Sequence, residues 1–309
     1  MQGLNRRRFL TITAAAAVSC PLGVSARAET TKYWLGTALG ARASIRLDHP
    51  DADRIIVAVR SEIERLEQIF SLYRANSELS RLNRDGELEY PSFEMVELLS
   101  LCGAIHQATS GRFDPTIQPV WAMYAEHHAS GRVPDAAAID HALRFVGWSG
   151  VSASPQRISL KKTGMALTLN GIAQGYIADK VAAMLRNKDL DNILIDTGEL
   201  YAMGGMPQGG HWPIQLGSSQ APHALRRVRL ADGGLATSAP LGTVFDDAGR
   251  IGHIIDSRNG LPAKTTFPLV TVSATTATRA DAFSTAFCLM PTEEIERVVA
   301  SNDDIRVIY

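Results

Sequence analysis

The chain has 309 residues, is 45% hydrophobic and 20% charged, and carries 31 Lys+Arg against 32 Asp+Glu. That apolar fraction with a formal net charge of −1 excludes a disordered chain and removes the whole-chain electrostatic case for nucleic acid. Three Cys cannot staple so long a chain, which leaves a globular protein of one elaborated domain or two lobes.

The N-terminus departs from that description. Arg6-Arg7-Arg8 precedes the apolar run Thr11 to Val18, and Ser25-Ala26-Arg27-Ala28 offers small residues where a signal peptidase cuts. This is the pattern of a cleaved export peptide over residues 1–28, and the paired arginines followed by Phe9-Leu10 favour the twin-arginine route to the periplasm. The apolar run falls far short of the ~20 residues that a spanning helix needs, so no transmembrane span is expected in the mature chain. Cys20 offers a lipid anchor as the lesser alternative, because Ala17-Val18-Ser19 makes a poor lipobox. Losing residues 1–28 removes four Arg and no acids, which leaves residues 29–309 with a formal net charge of −5. No basic face for nucleic acid or a membrane is implied.

Tyr33 to Leu47 reads as one or two opening strands. From Ala52 to Phe70, residues Ile55, Val59, Ile63, Leu66 and Ile69 fall at helical spacing. A second helix is predicted from the N-cap candidate Ser92 to Ala108, with Gly111 as a stop, and a third over Asp135–Phe145. His127-His128, in a polar stretch, reads as a solvated face rather than a metal site. Trp148 to Leu169 alternates in short runs broken by Gly150, Pro155 and Gly164, as in a β-meander.

Gly171 opens a helix through Leu185, leading into the buried-strand run Asn192–Ile195. Residues 200–273 are Gly-rich and strand-like, with His253–Asp256 ending a strand before the turn Ser257–Gly260. Ala280–Met290 is predicted helical, Thr292 to N-cap the next helix, and Ile305–Ile308 to form a last strand. Helices and strands mix without a βα repeat, so the fold class is α+β, with mixed or antiparallel sheets and packed helices. Cys102 and Cys288, in apolar helical contexts, are expected as buried thiols rather than a disulfide.

Phosphate loops, dinucleotide fingerprints, His-Glu-x-x-His, Cys-x-x-Cys and Gly-x-Ser-x-Gly are all absent from the sequence. Asp281 and Thr285 stand four apart on a predicted helix, so both oxygens share a face. With a free backbone carbonyl they make a hard oxygen set suited to Mg²⁺ that also holds phosphate. On spacing alone, an Asp near a helix start with an ordinary buried Thr is the better reading. Gly171-Ile172-Ala173-Gln174-Gly175-Tyr176 brackets a helix start with glycines, where backbone can approach a ligand or simply pack.

Taken together and in order, seven strings resemble the ApbE-type FAD:protein FMN transferases over nearly all of the mature chain. They begin at Leu35-Gly36-Thr37, and run through Phe70–Arg74 with Ser77–Asn83, then Thr109–Thr116. Gly171–Tyr176, Ala236–Ser238, His253–Gly260 and Ala280–Ala286 complete the series. The resemblance implies a two-lobed fold and a reaction in which FAD is split at its pyrophosphate. FMN is then joined through phosphate to a Thr or Ser of a target flavoprotein, and AMP leaves.

It further implies Mg²⁺ ligation by Asp281, Thr285 and the Ala173 carbonyl, since phosphoryl transfer rests on positioning and charge neutralisation. His253 is implied near the pyrophosphate, as general base or as phosphate ligand. Leu35, Tyr73, Arg112, Phe113, Asp114, Thr168 and Gln174 are implied at the FAD site. Without the resemblance, Tyr73 and the Arg112–Asp114 segment read as core packing and a helix cap.

Beyond Leu35 for Met, Ala239 for Gly and two substitutions within His253–Gly260, three departures from the family pattern bear on the site. Gln174 replaces a Lys, Thr168 replaces an Asp, and Ile195–Glu199 is one residue shorter than usual. These changes resemble the sub-branch serving maturation of nitrous-oxide reduction and similar respiratory flavoproteins. The competing expectations are an FAD pyrophosphatase, in which water attacks, and an FAD-binding accessory protein without chemistry.

Overall fold

The computed structural model describes residues 31–218, 221–264 and 267–309. The expected export peptide and Cys20 lie outside these residues. The opening segment forms the hairpin β1 (Thr31–Ala38) and β2 (Ala41–Asp48), turned at Leu39-Gly40, where φ is 49° and 83°. Next, α1 (Ala52–Phe70) buries Ile55, Val59, Ile63, Leu66 and Ile69, the stripe its spacing predicts.

A short helix not expected from the sequence follows, α2 (Glu78–Asp85). Ser77 caps it by accepting the Ser80 amide at 3.0 Å, and Gly86 ends it in the left-handed region. Only Leu79 and Leu82 anchor it in the core, too few apolar residues for a helical period to show.

β3 (Glu87–Glu89) precedes α3 (Phe93–Ala108), which is capped where expected by Ser92 accepting the Met95 amide at 3.2 Å. A second unexpected helix, α4 (Gln118–Ala129), carries the His127-His128 pair. That pair is not a solvated face: His127 Nδ1 lies 2.9 Å from the Met123 carbonyl, and His128 packs in one ring cluster with Tyr124 and Phe245. After α5 (Ala136–Leu143), the expected meander is a three-stranded sheet. In it β5 (Arg157–Leu160) pairs with both β4 (Val151–Ala153) and the much earlier β3.

The remaining elements are α6 (Ala173–Arg186), β6 (Ile193–Asp196), β7 (Leu200–Met203) and the hairpin β8 (Trp212–Ser218)–β9 (Ala221–Leu230). Then come β10 (Gly233–Ser238), β11 (Val270–Ala274), α7 (Ala277–Phe287), α8 (Thr292–Ala300) and β12 (Arg306–Ile308). The main sheet runs β1-β2-β6-β7-β10-β11-β12, and every pairing is antiparallel.

Alternation along the central strands builds two cores. Ile193, Ile195, Tyr201 and Met203 face the main core with α1, α6 and α7, whereas Leu194, Leu200, Ala202 and Leu235 face a smaller one under β8–β9. Both sheet faces are therefore covered, and β10 is buried at every position. A third cluster, built on Val120, Tyr124, Ala142 and Ile255, makes α4, α5 and the approach to His253 a small second lobe.

Three boundaries differ from expectation. α7 begins at Ala277, capped by Thr276, because the residues before Ala280 pack on the sheet and α6. Thr292 is the first residue of α8 and Pro291 holds the cap position. His253–Asp256 forms no strand, only the isolated bridges Val244–Gly252 and Ile255–Pro262. Its two isoleucines explain why: Ile254 packs into the main core and Ile255 into the small lobe, so the segment spans two clusters with no strand to pair. Cys102 and Cys288 are buried free thiols, as expected.

Candidate active site

The site begins with the contact between α6 and α7. A Cβ on Gly175 would lie 2.2 Å from the Ala277 carbonyl oxygen, and one on Gly234 would lie 2.3 Å from Ala277 Cα. Only glycine at these two positions lets the start of α7 settle against both α6 and β10. The approach brings Asp281 Oδ2 to 3.1 Å from the Gly175 amide, which donates to it.

A cleft opens between this contact, the small lobe and the β1–β2 turn. Tyr73, Arg112, Phe113, Asp114, Thr168, Gln174, His253, Asp281 and Thr285 all line it. Residues spread over more than 200 positions of sequence thus meet in one place. Ala173, fully buried at the start of α6, stands behind that wall and has only backbone oxygen to offer.

Leu35 is the exception. It lies on β1, 54% exposed, beside a separate shallow groove that also touches Trp34 and Thr37. Strand alternation turns Leu35 to solvent, and it is Leu39, in the turn that ends β1, that reaches the cleft.

The polar wall is acidic. Asp281, 3% exposed, has its carboxyl pushed up to about 7, chiefly by burial and then by the nearby Asp179 charge, against the Gly175 hydrogen bond. Glu199, which the sequence reading did not place in the site, is buried beside it. Burial and the Asp281 charge push its carboxyl well above the usual range. Its one hydrogen bond is accepted from the Thr237 amide at 3.2 Å.

Among the described residues, no Lys or Arg pairs with either carboxylate. Ser238 Oγ links Ser284 Oγ at 2.7 Å and Thr285 Oγ1 at 3.3 Å, which holds the Thr285 hydroxyl next to them. Two uncompensated buried acids with hydroxyl and carbonyl oxygens close by fit a hard divalent cation. Among the described residues no group of three or more His, Cys, Asp or Glu is placed to hold a metal, so such an ion depends on those neutral oxygens.

His253 is half-buried at the cleft, with Nδ1 3.0 Å from the Thr243 carbonyl. That acceptor fixes the proton on Nδ1 and leaves the Nε2 lone pair available. Burial pushes the imidazole below its ordinary value, so the ring is neutral at pH 7.

The opposite wall differs in kind. Arg112 lines the cleft, yet its guanidinium donates to the Leu289 carbonyl and to Glu294 Oε2 at 2.7 Å. Asp114 Oδ1 accepts from the Thr116 amide at 2.9 Å and hydroxyl at 2.6 Å, capping the turn Pro115–Ile117. Phe113 is buried in the main core. These polar atoms build the wall.

Tyr73, 44% exposed, stands at the mouth with its hydroxyl bonded to Asn170. Apolar surface from Leu39, Ile117, Trp121 and Ile254 completes this side and suits a flat ring. Gln174, where the sequence lacks a Lys, has its side-chain amide against the Gly198 turn, and Thr197 Oγ1 donates to its backbone carbonyl at 2.8 Å.

The ApbE family profile matches residues 39–309. The chain belongs to the ApbE family. Among ApbE relatives, the FAD:protein FMN transferase of Treponema pallidum is 28% identical over 279 residues, covering 82% of this chain and 75% of that protein. The FAD:protein FMN transferase of Haemophilus influenzae is 24% identical and covers 94% and 90%. Among solved ApbE structures, the ApbE protein of Thermotoga maritima superposes with a TM-score of 0.80 at 25% identity, covering 90% of this chain and 93% of that one. The Pseudomonas stutzeri flavinyl transferase ApbE, apo form, gives 0.78 at 25% identity, covering 90% of each.

Proposed function

We propose that the chain is an FAD:protein FMN transferase: it splits FAD and attaches FMN through a phosphoester to a Thr or Ser of a target flavoprotein, releasing AMP. The observation that carries this reading is a cleft in which an acidic oxygen-rich wall faces an apolar, aromatic one, in a chain of the ApbE family. One wall suits the pyrophosphate and the other the flat rings of FAD.

Asp281, Thr285 and the Ala173 carbonyl would hold Mg²⁺, which when bound supplies positive charge to the phosphates. Asp281 and Thr285, one turn apart on a buried helix, orient the pyrophosphate end of FAD with little freedom. His253, neutral and pinned through Nδ1, takes the proton of the acceptor hydroxyl at Nε2 as that oxygen attacks the FMN phosphorus. The bond from that phosphorus to the bridging oxygen breaks, and AMP carries the oxygen away. Tyr73 at the mouth stacks on a ring of the dinucleotide.

The arginine-rich N-terminus supports export by the twin-arginine route and action in the periplasm. Gln174, Thr168 and the shortened Ile195–Glu199 string support an acceptor of the respiratory or nitrous-oxide-reduction type. The test is incubation with FAD, Mg²⁺ and a periplasm-facing flavoprotein domain, followed by mass spectrometry of the acceptor. An added FMN phosphoester on Thr or Ser is expected. Free FMN and AMP with an unmodified acceptor would make water the nucleophile, and FAD bound without AMP release would leave a binding protein.

A further inference from the structure

The two helices that form the acidic wall cap one another. At the start of α7, the orphan amides of Ala277 and Thr278 donate to Asp179 on α6, at 2.8 and 2.9 Å, and the Thr278 hydroxyl donates to the same carboxylate at 2.5 Å. The third orphan amide, that of Arg279, is taken by Thr276 Oγ1 at 3.2 Å. At the start of α6, the Gly175 amide is taken by Asp281 of α7. Each helix thus satisfies the other's N-terminus with one carboxylate.

We propose that Asp179 is a positioning residue for the reaction: by capping α7 from α6, it sets where Asp281 stands against the Ala173–Gly175 turn. This rests on the flavin-transferase reading for its consequence, and on the hydrogen bonds alone for its geometry. Asp179 lies outside the cleft lining and shares no hydrogen bond with the residues assigned to FAD or the cation, although its charge acts on Asp281.

Its role follows from leverage. α7 has no other charged side chain bonded to its first two amides, and Asp281 follows one turn later. An anion at this end also offsets the helix's own positive pole, which otherwise opposes a cation one turn away. With glycine contacts on two sides, α7 cannot move away from α6 gradually. Losing the cap instead releases its first turn, and displacements of about 1 Å at a reacting centre cost about 100-fold.

The test compares Asp179→Asn and Asp179→Ala with Leu185→Ala, a fully buried α6 residue far from the cap. Two readouts are taken on the whole protein: hydrogen exchange of the Gly175 amide without ligands, and the Mg²⁺ concentration giving half-maximal FMN transfer. For the Asp179 variants we expect Gly175 to lose at least 10-fold in protection. Half-maximal Mg²⁺ should rise about 10-fold for Asn and more for Ala. Leu185→Ala should lower the melting temperature yet leave half-maximal Mg²⁺ within twofold.

Unchanged Gly175 protection in both Asp179 variants overturns the proposal, as does a Mg²⁺ requirement that shifts equally in Leu185→Ala. Wild-type turnover independent of divalent cations refutes the metal assignment instead, and Gly175 exchange then decides the positioning role by itself. Should Asp179→Ala fail to fold, Asp179→Asn, which keeps an acceptor for one amide, carries both readouts.

Discussion

The two walls of the cleft treat charge in opposite ways. On the α6–α7 side, Asp281 and Glu199 are buried with a single backbone donor each. On the Arg112–Asp114 side, the two terminal guanidinium nitrogens are spent on Leu289 and Glu294 and Asp114 Oδ1 on Thr116, with only Arg112 Nε left buried without a partner among the described residues. Burying an uncompensated carboxylate costs stability, and a fold keeps that cost where a ligand repays it. Paired side chains at equal depth are scaffold. Position in a pocket therefore does not separate the two classes, whereas the state of hydrogen bonding does.

The sharpest way to break this contrast is Asp281→Asn. Transfer activity should fall by about 10³-fold or more, in the range of losing a principal phosphate-charge stabiliser. The fold should survive and, without Mg²⁺, gain stability at pH 8. The sign follows from the carboxyl: its folded value of about 7 lies above the unfolded one near 4. The folded state therefore binds more protons in that window, and wild-type stability falls as pH rises through it. Thermal melting at pH 5 and pH 8, with and without Mg²⁺, reads both effects. A variant that melts lower than wild type at pH 8 would place Asp281 among the scaffold residues.

Next in size is His253→Gln, expected to lose about 10²-fold in kcat with the KM for FAD little changed. In the wild type, burial lowers the His253 value, so the acid limb of kcat should lie below the ordinary imidazole range, where the ring gains a proton. A limb at or above pH 7 that persists at saturating Mg²⁺, which holds Asp281 ionised, would assign the base to another group.

Arg112→Ala should act the other way round. Breaking its contacts to Leu289 and Glu294 is expected to cost about 1–3 kcal/mol of stability while kcat per folded molecule stays within about threefold. A double-mutant cycle with Glu294→Ala isolates the pair. The smallest effect belongs to Leu35→Ala, which should leave the KM for FAD within about twofold, since Leu35 faces solvent outside the cleft.

Legibility followed physical type. The α1 and α3 segments announced themselves through apolar periodicity and a serine cap. α2 and α4 did not: α2 is short and polar, and the apolar residues of α4 are spread around the helix rather than along one stripe. Asp281, Thr285 and His253 were named through family strings, while Glu199 was seen only as the end of a shortened string. Nothing local distinguishes its carboxyl from a surface glutamate. Asp179 carried no signal at all, because its partners lie about 100 residues away.

What the sequence determined by itself was composition, the α+β mixture, the long amphipathic helices and the family, because each is written in local order or in strings that survive as strings. What only the tertiary structure decided was which polar atoms are already satisfied. Hydrogen bonding and burial are set by residues distant in the chain, so Arg112 and Asp281 look alike in sequence and differ in the fold. The glycine contacts at Gly175 and Gly234 belong to the same class, since a missing side chain has meaning only beside the backbone it admits.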